Sequence, residues 1–151
     1  MAMRGANLQS IVAELASRPG RESVCALIRS LLADGLGVNS LDATPDTTIY
    51  EAGGGTDVFP ARIAFDFKSD LRVELLEAEE ELGRYLAMTE AGACRRPFGI
   101  ATDGDSDATY ELRSGKLSHV ASYKASPKNP RDLVNRLRVT FAVAADIAID
   151  S

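Results

Sequence analysis

The segment 62–102 restricts the fold more than any other part of the chain. From Arg62 to Lys68 the residues alternate: Ile63, Phe65 and Phe67 point one way, and Ala64, Asp66 and Lys68 the other. That two-residue period belongs to a strand. Asp70 then stands as the N-cap of a long helix to about Met88, with Leu71, Leu75, Ala78, Leu82, Tyr85 and Leu86 as its buried stripe. Phe98 to Thr102 reads as a short apolar strand ending in the polar turn Asp103-Gly104-Asp105-Ser106. A strand, a helix and a strand in this order close with a right-handed crossover, so the strand at Phe98 is expected parallel to the one carrying Asp66. The expected class is α/β, a central mixed β-sheet flanked by helices.

Other segments fill in that frame. Leu8, Ile11, Val12 and Leu15 define a first helix, from about Asn7 to Ser17, stopped by Pro19-Gly20. Val24, Leu27, Ile28, Leu31 and Leu32 define a second, starting near Glu22 and ending near Gly35. Residues 38–48 are turn-rich. Thr48 to Glu51 reads as a short strand, and Thr56 to Phe59 as another before the Pro60-Ala61 break. Ala108 to Arg113 and Leu117 to Tyr123 form a possible hairpin around Ser114-Gly115. A last helix follows Pro130, from about Arg131 to Ile149, with Leu133, Leu137, Phe141, Ala144 and Ala148 on its apolar face.

A single domain over 1–151 is expected, because 151 residues bury roughly two thirds of the unfolded surface, enough for a core without staples. No apolar run approaches the ~20 residues of a membrane span. Met1 to Gln9 lacks the pattern of a secretory signal, and Cys25 and Cys94 form no CxxC pair, so a cytoplasmic location is expected. The net charge of −5 does not advertise a nucleic-acid binder. Seven basic residues (Arg113, Lys116, Lys124, Lys128, Arg131, Arg136 and Arg138) nevertheless face one acid, Asp132, across 113–138. The simpler account of this run is a solvated face, and a phosphate contact is the alternative.

Asp57, Asp66 and Lys68 carry the chemistry. Asp57 follows Gly53-Gly54-Gly55, and Asp66 and Lys68 share one face of the next strand. Two carboxylates on adjacent strands make a hard oxygen site of the kind Mg²⁺ takes. A lysine beside it can hold a water and offset phosphate charge, the set needed for hydrolysis of a phosphodiester. A short D-x-K also arises by chance, and an exposed Asp66–Lys68 surface pair is the alternative. Against that, an ionised Asp66 in an apolar strand is costly unless paired or metal-bound.

The run Gly55-Thr56-Asp57-Val58, followed after a spacer by Asp66-Phe67-Lys68, resembles the PD-(D/E)xK nuclease signature. Its surroundings are similar to the branch at the N-termini of type I restriction endonuclease subunits and fused restriction–methylation enzymes. Glu22 in the early helix, Leu36-Gly37, Glu51, Glu81 to Tyr85 at the Q-x-x-x-Y position, Thr102-Asp103-Gly104 and Tyr110 match in order over about 22–112. The resemblance implies a restriction-endonuclease-like core and a metal-dependent DNA endonuclease using Mg²⁺ or Mn²⁺. It implies Asp57, Asp66 and the Phe67 carbonyl as metal ligands, and Lys68 as the residue that positions water.

Glu22, Glu51, Glu81 and Tyr85 would be auxiliary. Simpler roles are a favourable first-turn charge for Glu22, a strand-edge polar residue for Glu51 and a core residue for Tyr85. The implied partners are double-stranded DNA and methyltransferase, translocase or specificity domains or subunits, with no membrane. Thr56 replaces the signature proline, Asp66 replaces the more usual Glu, and Glu81 replaces Gln. A carboxylate at 81 repels phosphate, so Glu81 either binds a second metal or marks a helix without a DNA role. The alternative function is a catalytically inactive nuclease-fold module of a DNA-modification system, and a third is an α/β small-molecule binding domain without metal.

The remaining candidates are weaker. His119 has no nucleophile motif beside it and is expected at the surface; Cys25 is expected to pack beside its helix stripe. Cys94 has only Arg95 and Arg96 beside it to lower its pKa. Gly53 to Gly55 lacks the GK[ST] of a phosphate loop, and Asp103 to Asp107 lacks the final Glu of a calcium loop.

Overall fold

A computed structural model describes residues 5–35, 39–43, 47–52, 61–89 and 98–149, with side chains over 8–33, 63–87 and 98–140. Two helices come first, α1 (Gly5–Ala16) and α2 (Arg21–Ser30). Strands β1 (Asn39–Ala43), β2 (Thr47–Ala52) and β3 (Ala61–Phe67) follow. Helix α3 (Leu71–Thr89) leads to β4 (Phe98–Thr102), β5 (Ser106–Arg113) and β6 (Lys116–Lys124), and α4 (Arg131–Ile149) ends the order. The strands lie in sequence order in one sheet. β3 and β4 are parallel, with Asp66 beside Ala101, and the other neighbours are antiparallel. The fold is α/β, a mixed sheet with flanking helices, and α3 makes the expected parallel crossover.

The alternation of β3 separates two cores. Ile63, Phe65 and Phe67 join Val12, Leu15, Val24, Ile28 and Leu137 on the face covered by α1, α2 and α4. The Phe65 and Phe67 rings stack with centroids 5.9 Å apart. Burying each such ring is worth roughly 1.5–3 kcal/mol. Ala64 joins Ala78, Leu82, Leu86, Ala101, Ala108 and Tyr110 on the face under α3. A β-carbon at Gly99 would meet Leu82 Cδ2 at 3.0 Å, so the glycine lets α3 sit close to β4.

Three expectations need correction. The turn-rich stretch 38–48 contains a strand, β1, paired with β2 through a bulge between Ser40 and Asp42. Its polar residues suit a turn locally, but an open edge of β2 selects an antiparallel partner. The second helix does not run regularly to Gly35: its last turn, Leu31–Gly35, widens into a π-helix. Leu75, expected in the buried stripe of α3, is 37% exposed. The proposed strand at Thr56 to Phe59 lies outside the described residues, as does Cys94.

Elsewhere the turns behave as their residues require. Asp70 Oδ1 accepts from the Arg72 backbone N–H at 2.9 Å, and Glu74 reaches back to the Ser69 and Asp70 N–H groups at 3.0 Å each. This caps α3 as expected. Ser114 and Gly115 both have positive φ, 51° and 78°, the two-residue turn that matches hairpin twist. The apolar face of α4 packs on its own core through Leu133, Val134 and Leu137. Six of the seven basic residues in 113–138 are exposed; the seventh, Arg136, holds Asp107 through two 3.1 Å contacts and lies 4.2 Å over the Tyr123 ring. Among the described residues no helix is long and apolar enough to cross a membrane.

Candidate functional site

Asp66 ends the described face of β3 and Lys68 follows where the strand stops. Both side chains turn toward α3, and both are buried, at 0% and 1% exposure. The surface-pair alternative is therefore overturned: both side chains are buried between the sheet and α3. Lys68 Nζ lies 3.7 Å from Asp66 Oδ2. It donates to Glu81 Oε2 at 3.0 Å and to Glu77 Oε1 at 3.1 Å. The backbone N–H of Lys68 donates to the Thr102 carbonyl at 2.9 Å, tying the residue to the end of β4.

Burial disfavours the Lys68 ammonium. The hydrogen bond to Glu81, the charge of Asp66 and the hydrogen bond to Glu77 together outweigh burial and push its pKa above the ordinary lysine value. The same hydrogen bond and charge hold the Glu77 carboxyl below its usual range, and Arg21 adds to that effect. Lys68 is thus a fixed cation facing three carboxylates.

The other expected residues are distributed around this cluster. Glu22 is exposed in the first turn of α2, where a negative charge complements the helix dipole. Among the described residues the acids that engage Lys68 are Asp66, Glu77 and Glu81, and Glu22 is not one of them. Glu51 sits on β2 opposite Arg62 of β3, and its side chain is outside the described residues. Asp57 is also outside them. Tyr85 is half-buried against the core under α3. His119 is exposed, with Nε2 2.7 Å from Ser122 Oγ, and Cys25 packs beside the core of α1 and α2.

Two residues named in the sequence without a role at Lys68 belong to its surroundings. Glu77 shares Lys68 with Glu81, and its position one turn before Glu81 was the available signal. Asp103 is completely buried and accepts from the Leu71 N–H at 2.8 Å, the Ser106 N–H at 2.7 Å and Arg18 Nε at 3.0 Å. The Thr102-Asp103-Gly104 turn thereby fastens the start of α3 to the end of α1. Arg18 also bridges Asp105 at 2.8 Å and Asp70 at 3.7 Å, from a left-handed backbone with φ 53°. This network fixes the ends of β3 and β4 around Lys68.

Among the described residues no three His, Cys, Asp or Glu side chains are arranged to hold a metal ion. A scan of protein-family models and searches of curated proteins and solved structures give no match to the chain.

Proposed function

We propose that the chain is a metal-dependent DNA endonuclease domain with a restriction-endonuclease-like core. The observation that carries this reading is the Asp66–Lys68 pair, two charged side chains buried together at the end of a strand. A buried ion pair is a poor stabiliser compared with apolar packing of the same volume, because desolvation offsets the attraction. Such a pair in a core strand supports a site with a chemical task. Asp57 and Asp66 would hold Mg²⁺ or Mn²⁺, with the Phe67 carbonyl as a further ligand. The metal, when bound, supplies a Lewis acid for the phosphodiester.

Lys68 would orient the attacking water and offset charge on the phosphate. The three carboxylates around it make the site unreceptive to phosphate until a divalent cation offsets them. Metal dependence is therefore built into the charge balance of this reading. The exposed basic residues of 113–138 would offer phosphate contacts away from the acidic cluster.

A second reading has a specific observation behind it. Lys68 is doubly engaged by Glu77 and Glu81, as a structural network in an inert scaffold would be. Nicking of supercoiled plasmid with Mg²⁺ or Mn²⁺ separates the two. The endonuclease reading expects cleavage by the parent and none by Asp66→Ala or Lys68→Ala proteins. The scaffold reading expects no cleavage by the parent or by Glu81→Gln.

A further inference from the structure

The underside of α3 is uneven. Over its second half the helix is pressed to the sheet at Gly99. Over its first half the floor is Ser106, Ala108 and Ser122, small residues that leave a cleft of about 330 Å³ between α3 and the ends of β5 and β6. Leu71 and Leu75 form the apolar wall, which explains the exposure of Leu75. Arg72 and Lys124 stand at the rim. The volume falls at the small end of ligand-binding pockets, which run from roughly 300 to 1,000 Å³.

Charge decides what such a cleft accepts. Asp107 also lines it, but its carboxylate is held by Arg136 from α4. Arg72 is held by Asp70 at 2.8 Å. Among the described residues no carboxylate is ion-paired with Lys124. We infer that this cleft binds a small organic anion whose apolar body rests on Leu71, Leu75 and Ala108 and whose anionic group meets Lys124. The lining residues do not include Asp66 or Lys68, and the cleft shares with the endonuclease reading only Lys124, one of the exposed basic residues.

Fluorescence titration of the intact chain with 8-anilinonaphthalene-1-sulfonate tests it, with neutral N-phenyl-1-naphthylamine in parallel. The parent should bind the sulfonate saturably, one to one. Ser122→Leu, at an exposed position that fills the floor, should weaken both dyes about tenfold, or ~1.4 kcal/mol. Lys124→Glu should weaken the sulfonate by a similar factor and leave the neutral dye unchanged. Leu76→Glu, on the outward side of α3 at 77% exposure, should change neither. Near-UV circular dichroism establishes that each protein is folded. The inference is overturned if the folded parent shows no saturable binding, or if Ser122→Leu has no effect. It is also overturned if Lys124→Glu weakens both dyes equally, or if Leu76→Glu abolishes the signal.

Discussion

Lys68 Nζ donates to Glu81 Oε2 at 3.0 Å, across the gap between a strand end and the third turn of the helix that follows it. The two lie thirteen positions apart, and the contact brings an acid of α3 onto a lysine buried at the end of β3. With Glu77 and Asp66 it makes one ammonium the shared partner of three carboxylates. The cluster therefore depends unequally on its members.

Removing Lys68 should be the costly change. Lys68→Ala withdraws the cation 3.7 Å from the fully buried Asp66 carboxylate, and breaking a buried pair by deleting one partner costs ~3–5 kcal/mol. Glu77→Gln should cost far less, because the Glu77 side chain is 59% exposed and water replaces much of the interaction. Urea unfolding of the two variants beside the parent checks this order. Equal losses would mean that Lys68 does not hold the cluster.

Two glycines should respond differently to alanine. At Gly104, φ is 94° and an added β-carbon would lie 2.5 Å from the Leu15 carbonyl oxygen, part of the α1 backbone. The left-handed backbone alone costs roughly 1–2 kcal/mol, and the clash adds to it. At Gly99 the β-carbon meets the flexible tips of Leu82 and Leu86 at 3.0 and 3.2 Å. Gly99→Ala should therefore cost ~1 kcal/mol, at the low end of overpacking penalties. Thermal melts should place Gly104→Ala well below Gly99→Ala.

Asp70 gives the acid response of the α3 cap. The hydrogen bond from Arg72 leads in lowering its pKa from 3.8 to about 2. A carboxyl with a depressed folded-state pKa contributes stability above its unfolded value, and that contribution is lost as pH falls toward the folded value. Asp70→Asn keeps a capping oxygen but loses the charge. The variant should be less stable than the parent at neutral pH, and the gap should close between pH 3.8 and about 2. Melting temperatures measured across that window check it; a gap that stays constant would assign the effect to capping alone.

Much of this arrangement was legible in the residues. The alternation from Ile63 to Lys68, the cap at Asp70 and the apolar run at Phe98 each lie in a short window, and the parallel pairing of the two strands follows from the helix between them. The burial of Lys68 was not legible. It depends on contacts with Glu77 and Glu81, nine and thirteen positions further along the chain, which form only once α3 lies on the sheet. The polar stretch holding β1 was missed because an unpaired edge of β2, rather than local propensity, makes it a strand. Leu75 fits a helical stripe, yet the small residues of β5 and β6 give it nothing to close against.

The most direct measurement is calorimetric titration of the folded parent with Mn²⁺, beside Asp66→Asn, Asp57→Asn and Glu22→Gln. The account predicts one binding site in the parent and in Glu22→Gln, absent in both aspartate variants. Binding that survives in both aspartate variants, or a folded parent that binds no Mn²⁺, would contradict it.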